Sequence, residues 1–248
     1  MTCSTPLSTL VAFLWPGRCS LCDGELPVRA LVSVCPACWT RLPLSNEPRC
    51  PRCDLPGWAR RAPCPDCGGW PPGGALERIV APFVYREAMR VLHRRLKFGG
   101  ELDLCGPLGK RMALAWSVRG PWLPDLIVPV PPDSMRYGPR RSVVRRLARE
   151  VAGTLGVPFL GRGVRKRRHT PSLSRLGGQS RRKALEGAFH WESREALRNR
   201  HVLLIDDVAT TGSTLTAMAQ AAAAAGADRV AGLVLARTPV ESSLGARP

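Results

Sequence analysis

The chain has 248 residues, 44% of them hydrophobic and 23% charged, with 37 Lys and Arg against 19 Asp and Glu for a formal net charge of +18. That apolar share buries a real core and excludes wholesale disorder, and the length suits one ordinary domain plus a small module, or two modest domains. No apolar run approaches the ~20 residues of a transmembrane helix, and the stretch from Leu10 to Trp15 lacks the basic flank of a signal peptide, so a cytoplasmic protein without membrane insertion is expected.

From about Leu7 to Trp15 the composition predicts a short leading helix. Cysteine spacing dominates the stretch from Cys19 to Cys67. Eight of the 10 cysteines form four C-x-x-C pairs: Cys19/Cys22, Cys35/Cys38, Cys50/Cys53 and Cys64/Cys67. Each pair puts two sulfurs on one side of a tight knuckle, and two knuckles make a tetrahedral thiolate site for one zinc ion. Four knuckles therefore predict two zinc ions, with sequential pairing as the working assignment and an interleaved cross-brace as its alternative. A closed four-thiolate site has no open position for substrate, so these ions are expected to be structural. Cys3 and Cys105 stand alone and read as ordinary residues.

Pro71-Pro72-Gly73-Gly74 reads as a linker, which gives expected divisions of 1–70, a linker at 71–76, a second domain at 77–240 and a tail at 241–248. Beyond the linker, strand-like composition at Ile79–Tyr85 gives way to helical spacing at Arg86–Phe98 and again at Leu104–Val118. Asp125 to Pro131 predicts a short buried strand stopped by prolines, and Val143 to Leu155 a helix ended by Gly156. Arg162 to Lys183 has no convincing period and reads as a long basic loop. His201–Ile205 is the clearest central strand, Ser213–Ala225 a helix, and Arg229–Ala236 a final strand. Strands alternating with helices imply an α/β domain built on a parallel sheet flanked by helices.

The charge is uneven. Between Arg136 and Arg200 there are 18 Lys and Arg but 4 Asp and Glu, so most of the positive excess belongs to one segment. A solvated basic face would account for it; so would a surface that meets phosphate. His93, His169, His190 and His201 share no metal-ligand spacing, and most of them are expected to be structural or on the surface, with His169 the exception because of its place in the basic loop.

The most informative segment is Val202-Leu203-Leu204-Ile205-Asp206-Asp207-Val208-Ala209-Thr210-Thr211-Gly212-Ser213-Thr214. An apolar strand runs into two carboxylates, then a small hydroxyl-rich turn, then a helix. Residues at the carboxyl end of a parallel strand face the ligand crevice of an open sheet. A helix amino terminus offers free N–H groups and the positive end of its dipole to a phosphate. Asp206 and Asp207 are poor neighbours for phosphate but good acceptors for ribose hydroxyls, so a ribose 5-phosphate meets both requirements.

This string resembles the ribosylpyrophosphate-binding motif of type I phosphoribosyltransferases. The resemblance implies that Asp206 and Asp207 hold ribose. It gives the 5-phosphate to Val208, Ala209, Thr210, Thr211, Gly212, Ser213 and Thr214. The ligand it implies is 5-phosphoribosyl 1-pyrophosphate with Mg²⁺, the ion held mainly by substrate and water. The order of four knuckles, Pro129-Val130-Pro131, a basic loop and the ribose-phosphate motif is similar to the ComF family, named for competence and DNA uptake. Leu96-Lys97-Phe98, Arg168-His169-Thr170-Pro171-Ser172 and Gly187-Ala188-Phe189 support the likeness. By that resemblance Val130 and Pro131 form the pyrophosphate turn, and Arg140, Arg167, Arg168 and His169 belong to the turn and a cationic lid. Arg140-Arg141-Ser142-Val143-Val144 departs from the family's Arg-Gly-Phe-Asn-Gln, Leu173 stands where a Gln is common, and Ala184 or Leu185 where an Asn is. The family implies phosphoribosyl (pentosyl) transfer if catalysis is retained, with no residue here identifying a base. The alternative is a non-catalytic protein that handles single-stranded DNA or senses a ligand with the same fold, alongside DNA-uptake proteins.

Overall fold

The computed structural model describes residues 17–27, 30, 32–44, 47–58, 63–68, 70, 74–132, 142–166, 185, 187–192 and 194–239. The expected leading helix at Leu7–Trp15 and most of the basic loop lie outside these residues.

The four knuckles come first. In the second, a single-turn helix α1 (Pro36–Thr40) starts directly at Cys35, whose Sγ accepts from the Cys38 N–H at 3.4 Å. Pro36 occupies the first helical position, where its missing N–H costs nothing.

Beyond them lies a five-stranded parallel sheet: β1 (Leu76–Val80), β2 (Phe83–Val84), β3 (Leu126–Pro129), β6 (His201–Ala209) and β7 (Arg229–Arg237). Its order is β1-β7-β6-β3, with β2 also pairing along β7. β6 and β7 are buried on both faces, which is why they read as continuous apolar runs. Leu203, Ile205, Leu233 and Leu235 pack on the side of α2 (Glu87–Arg94), α3 (Cys105–Arg119) and α4 (Val143–Leu155), together with Leu26 and Val34 of the first ribbon. Val202, Leu204, Val230 and Val234 pack on the opposite side, with α5 (Ser213–Ala224) and the cysteines of the second ribbon. Each ribbon thus shares the core of one face of the sheet.

Two local features differ from the sequence reading. The helical run at 86–98 is not uniform: α2 passes into a π-helical turn at Arg95–Gly99, stopped by Gly100 at φ 74°. A π turn inserts one residue into the helical repeat, a feature often found at functional sites. The apolar spacing survives because Leu92 and Leu96 remain buried. The second difference falls in the segment expected to be loop. There Val164–Lys166 forms β4, antiparallel to β5 (Phe189–Trp191). This pairing joins residues more than twenty positions apart, so no local period discloses it.

Helices α3 and α4 meet at Gly109, where an added Cβ would lie 2.4 Å from Glu150 Cβ. Gly109→Val should therefore force the helices apart and cost about 1–3 kcal/mol, read as a lowered midpoint of urea unfolding with an unchanged slope.

Candidate functional site

The eight knuckle cysteines gather into two tetrads, Cys19/Cys22/Cys35/Cys38 and Cys50/Cys53/Cys64/Cys67, with the sulfurs of each within 4.8 Å of one another. Pairing is therefore sequential, and the interleaved alternative is excluded. Tetrahedral zinc with Zn–S bonds of ~2.3 Å places its sulfurs about 3.8 Å apart. The separations Cys22–Cys35 at 3.9 Å, Cys50–Cys67 at 3.5 Å and Cys53–Cys64 at 3.5 Å fit that ion. All four ligands of the second tetrad are buried, whereas Cys22 is exposed. Cys105 joins neither tetrad, and burial pushes its thiol up to about 12, so it stays an uncharged core residue.

The second feature sits at the carboxyl end of β6. A cavity of about 390 Å³ opens there, lined by Asp206, Asp207, Val208 and Thr214 from the ribose-phosphate motif and by Val130 and Pro131 from the turn after β3. The parallel register explains the convergence: Pro129 lies beside Ile205, so the next residues of both strands emerge together. Lys97 and Phe98 of the π-helical turn line the opposite wall, with Ser142 and Val143 at the start of α4. The Ser142 side chain accepts from the Arg145 N–H at 3.3 Å as the helix cap, so the position where the family pattern is broken borders the cavity and carries a hydroxyl. Arg140, Arg167, Arg168 and His169 lie outside the described residues.

The two carboxylates differ sharply. Asp207 is buried, and its Oδ2 receives Lys97 Nζ at 2.7 Å and faces His93 Nε2 at 3.1 Å, while its Oδ1 accepts from the Val208 N–H at 2.7 Å. His93 is fixed in turn by the Tyr85 hydroxyl at 3.1 Å from Nδ1. Burial alone would raise the Asp207 carboxyl, but the His93 hydrogen bond and the Lys97 charge overcome it and hold it well below the usual carboxylate range. Asp206 is only half-buried and opens onto the cavity. Burial, with the Asp207 charge beside it, raises its carboxyl to about 8 despite the Asp207 N–H that it accepts at 2.9 Å. Adjacent acids are thus driven apart, Asp207 favouring its anion and Asp206 holding its proton more tightly than an ordinary carboxyl.

The loop behind them is compact. Gly212 adopts φ 73° at the start of α5, and a Cβ there would meet Ile79 Cδ1 at 3.0 Å and Trp70 Cζ2 at 3.1 Å. Thr211 Oγ1 lies 2.7 Å from Ser213 Oγ, and the Thr216 hydroxyl donates to the Gly212 carbonyl at 3.0 Å. Thr210 is exposed and Ser213 is buried. Of the predicted phosphate residues Val208 and Thr214 line the cavity, with Asp206 and Asp207 beside them, whereas Ala209, Thr210, Thr211, Gly212 and Ser213 are not among its lining residues.

His93 is buried and hydrogen-bonded between Tyr85 and Asp207, a structural placement that also puts it against the site's carboxylate. Ser142 and Phe189, which fall in segments that carry the family comparison but have no role in it, line the cavity, and Tyr85 joins through His93. Helical spacing placed His93 on the inner face of α2, the one available hint. Nothing local marks Tyr85.

Comparison with known proteins fits this arrangement at both ends of the chain. Residues 10–68 match the double zinc ribbon domain and residues 138–243 the phosphoribosyl transferase domain. The chain is 30% identical over 229 residues to the DNA utilization protein YhgH of Escherichia coli O157:H7, covering 90% of this chain and 98% of that protein. It is 30% identical over 208 residues to Competence protein F of Haemophilus influenzae, covering 80% and 87%. Among solved structures, the glutamine phosphoribosylpyrophosphate amidotransferase from B. subtilis aligns with a TM-score of 0.36 and 19% identity, over 52% of this chain and 25% of that one. Among the described residues no helix is long and apolar enough to cross a membrane.

The raised Asp206 carboxyl has a measurable consequence. The folded chain holds that proton more tightly than the unfolded chain, where an aspartate titrates near ~4. Its contribution to stability is complete below that value and is lost as pH rises through about 8. Asp206→Asn keeps the carbonyl acceptor and removes the titration. The wild-type melting temperature should therefore fall relative to that of Asp206→Asn between pH 5 and pH 9, as followed by differential scanning fluorimetry.

Proposed function

Because the chain belongs to the ComF family, a double zinc ribbon joined to a phosphoribosyltransferase domain and shared with YhgH and Competence protein F, we propose that the cavity at the end of β6 binds 5-phosphoribosyl 1-pyrophosphate with Mg²⁺. The observation that carries the reading is the convergence on one cavity of the Asp206-Asp207 pair and the amino terminus of α5.

In this reading the loop Val208–Thr214 takes the 5-phosphate, where the dipole of α5 and the hydroxyls of Thr210, Thr211, Ser213 and Thr214 favour an anion. Asp206 and Asp207 accept from the ribose hydroxyls. Asp207 Oδ2 is already engaged by Lys97 and His93, so ribose takes its remaining acceptor capacity or displaces Lys97 toward the pyrophosphate. Val130 and Pro131 border the pyrophosphate. The donor set suits a magnesium ion that arrives with its ligand: Asp207 is already paired with Lys97 and His93, which leaves Asp206 as the carboxyl facing the cavity, so the chain supplies no dedicated cage. The ion, when bound, offsets pyrophosphate charge. Phosphoribosyl transfer follows if an acceptor reaches C1 of the ribose; no residue of the described cavity is assigned as a base.

A second role on single-stranded DNA is favoured by the names of the relatives and by the positive excess between Arg136 and Arg200. Against base stacking in that region, Arg145 and Arg149 both lie over the Phe159 ring at 5.6 Å, so this aromatic is already covered. Contacts there would be to the backbone phosphates and would weaken steeply with salt.

Calorimetric titration separates the two. Phosphoribosyl pyrophosphate with Mg²⁺ should bind and raise the melting temperature. Asp207→Ala should weaken binding about 10–100-fold, the equivalent of ~1.5–3 kcal/mol for a charged hydrogen-bonding group. The same substitution should leave any salt-dependent oligonucleotide binding unchanged. No thermal shift at millimolar ligand would remove the phosphoribosyl reading.

A further inference from the structure

A fully buried charged side chain lies outside the cavity. Arg237, the last residue of β7, is 0% exposed. A buried guanidinium carries a desolvation penalty of several kcal/mol and persists only where its charge and donors are met. Here its Nε donates to the Cys53 carbonyl at 3.0 Å and its Nη2 to Asp66 Oδ2 at 2.5 Å. Its Nη1 donates to the Ala209 carbonyl at 2.9 Å and also to the Thr210 carbonyl.

Those partners belong to two different structures. Cys53 is a ligand of the second tetrad, and Asp66 lies between Cys64 and Cys67 inside the fourth knuckle. Ala209 and Thr210 belong to the phosphate loop. One planar fork therefore reads the conformation of two zinc knuckles on one side and orients two loop peptides on the other. Since a trans peptide sets its N–H opposite its carbonyl, fixing the Thr210 carbonyl on Arg237 turns the Thr211 N–H away from the ribbon. A second contact runs in parallel. Trp70 is buried, its backbone N–H donates to the Cys67 carbonyl at 3.0 Å, and its ring supports Gly212, whose added Cβ would approach it to 3.1 Å.

We propose that Arg237 is the positioning residue of the phosphate loop, so that metal occupancy of Cys50/Cys53/Cys64/Cys67 and affinity for a phosphorylated ligand are thermodynamically linked. The ligand's identity rests on the phosphoribosyl reading; the tie between ribbon and loop does not. Without metal the knuckles lose their fixed geometry, Asp66 no longer faces the guanidinium, and the buried cation is left with loop carbonyls alone. The first tetrad is the internal control. The contacts of its loops run to a different segment, through Ser20 Oγ to Glu101 at 2.5 Å and the Ser33 N–H to Asp103 at 2.6 Å.

The test uses the full zinc-loaded chain, wild type and Asp66→Asn, and three readouts. Hydrogen exchange of amides 208–214 is measured without ligand, affinity for phosphoribosyl pyrophosphate with Mg²⁺ by calorimetry, and zinc transfer to a chromophoric chelator with and without that ligand. Asp66→Asn should raise exchange at 208–214 and leave β3 and α4 unchanged. It should weaken ligand binding about tenfold, within the usual range of coupling between sites. By reciprocity, ligand should raise the equilibrium affinity for one zinc ion in the wild type, so that more chelator is needed to withdraw it, and Asp66→Asn should abolish that rise. Unchanged exchange at 208–214 would overturn the proposal, as would a rise spread equally over β3 and α4. If the wild type binds no phosphoribosyl pyrophosphate, that reading fails and loop exchange alone decides the tie. If Asp66→Asn does not fold, wild-type exchange before and after chelation carries the same decision.

Discussion

A parallel sheet leaves backbone donors unpaired along its outer strand, and a buried cation must be surrounded by acceptors. In this molecule the third knuckle serves both demands, covering the sheet edge and supplying one of the acceptors around the buried Arg237, whose charge is met by Asp66 of the fourth. The outer edge of β1 gives the Ile79 N–H to the Arg52 carbonyl at 2.8 Å, and just beyond it the Ala81 N–H goes to Asp54 Oδ2 at 2.7 Å. Asp54 is held by Arg49 at 3.2 Å and Arg119 at 2.8 Å, which turns a buried carboxylate into a junction between ribbon, β1 and α3. Between Arg52 and Asp54 lies Cys53, whose carbonyl receives Arg237. Three consecutive residues thus cover the sheet edge and neutralise buried charge, in a conformation that thiolate ligation maintains.

That dependence explains how a ribbon of so few residues is held in place. It has little core of its own, and Leu55 and Trp70 are buried in the same cluster as Ile79, Leu204 and Leu215. The stability of such a module comes from its metal and from the surface it shares. The sheet in turn gains a covered edge. Neither part is complete without the other, whatever boundary is drawn at residues 71–76.

The sequence discloses the features that are local and repeated. Four C-x-x-C pairs at nearly even gaps announce two metal sites, since the chemistry requires only proximity in the chain. The strand, acid pair, turn and helix from Val202 to Thr214 are equally legible, because strand and helix periods meet there within a dozen residues. The π-helical turn is harder, as apolar spacing tolerates one inserted residue. The short β4–β5 pair depends on residues far apart in sequence. The partners of Asp207 are hidden for the same reason: His93 and Lys97 are more than a hundred positions away and lie four residues apart, a spacing that reads as ordinary helix. Arg237 is hidden for another reason. A cation after seven apolar residues looks like the solvent-exposed end of a strand, and only the three-dimensional position of Asp66 and the carbonyls of Cys53, Ala209 and Thr210 shows that it is interior.

The two ribbons meet the cavity from opposite sides. The second supports the phosphate loop through Arg237 and Trp70. The first binds Glu101 and Asp103, which come directly after the π-helical turn bearing Lys97 and Phe98, and Glu101 also pairs with Arg95 of that turn at 3.5 Å. The segment holding Lys97 against Asp207 is therefore anchored to one zinc module, and the loop after Asp207 to the other. A closed thiolate site contributes no chemistry of its own. Its use here comes from position: the segment that bears Lys97 and the loop that follows Asp207 each rest on a separate rigid module, one through Glu101 and Asp103 and the other through Arg237.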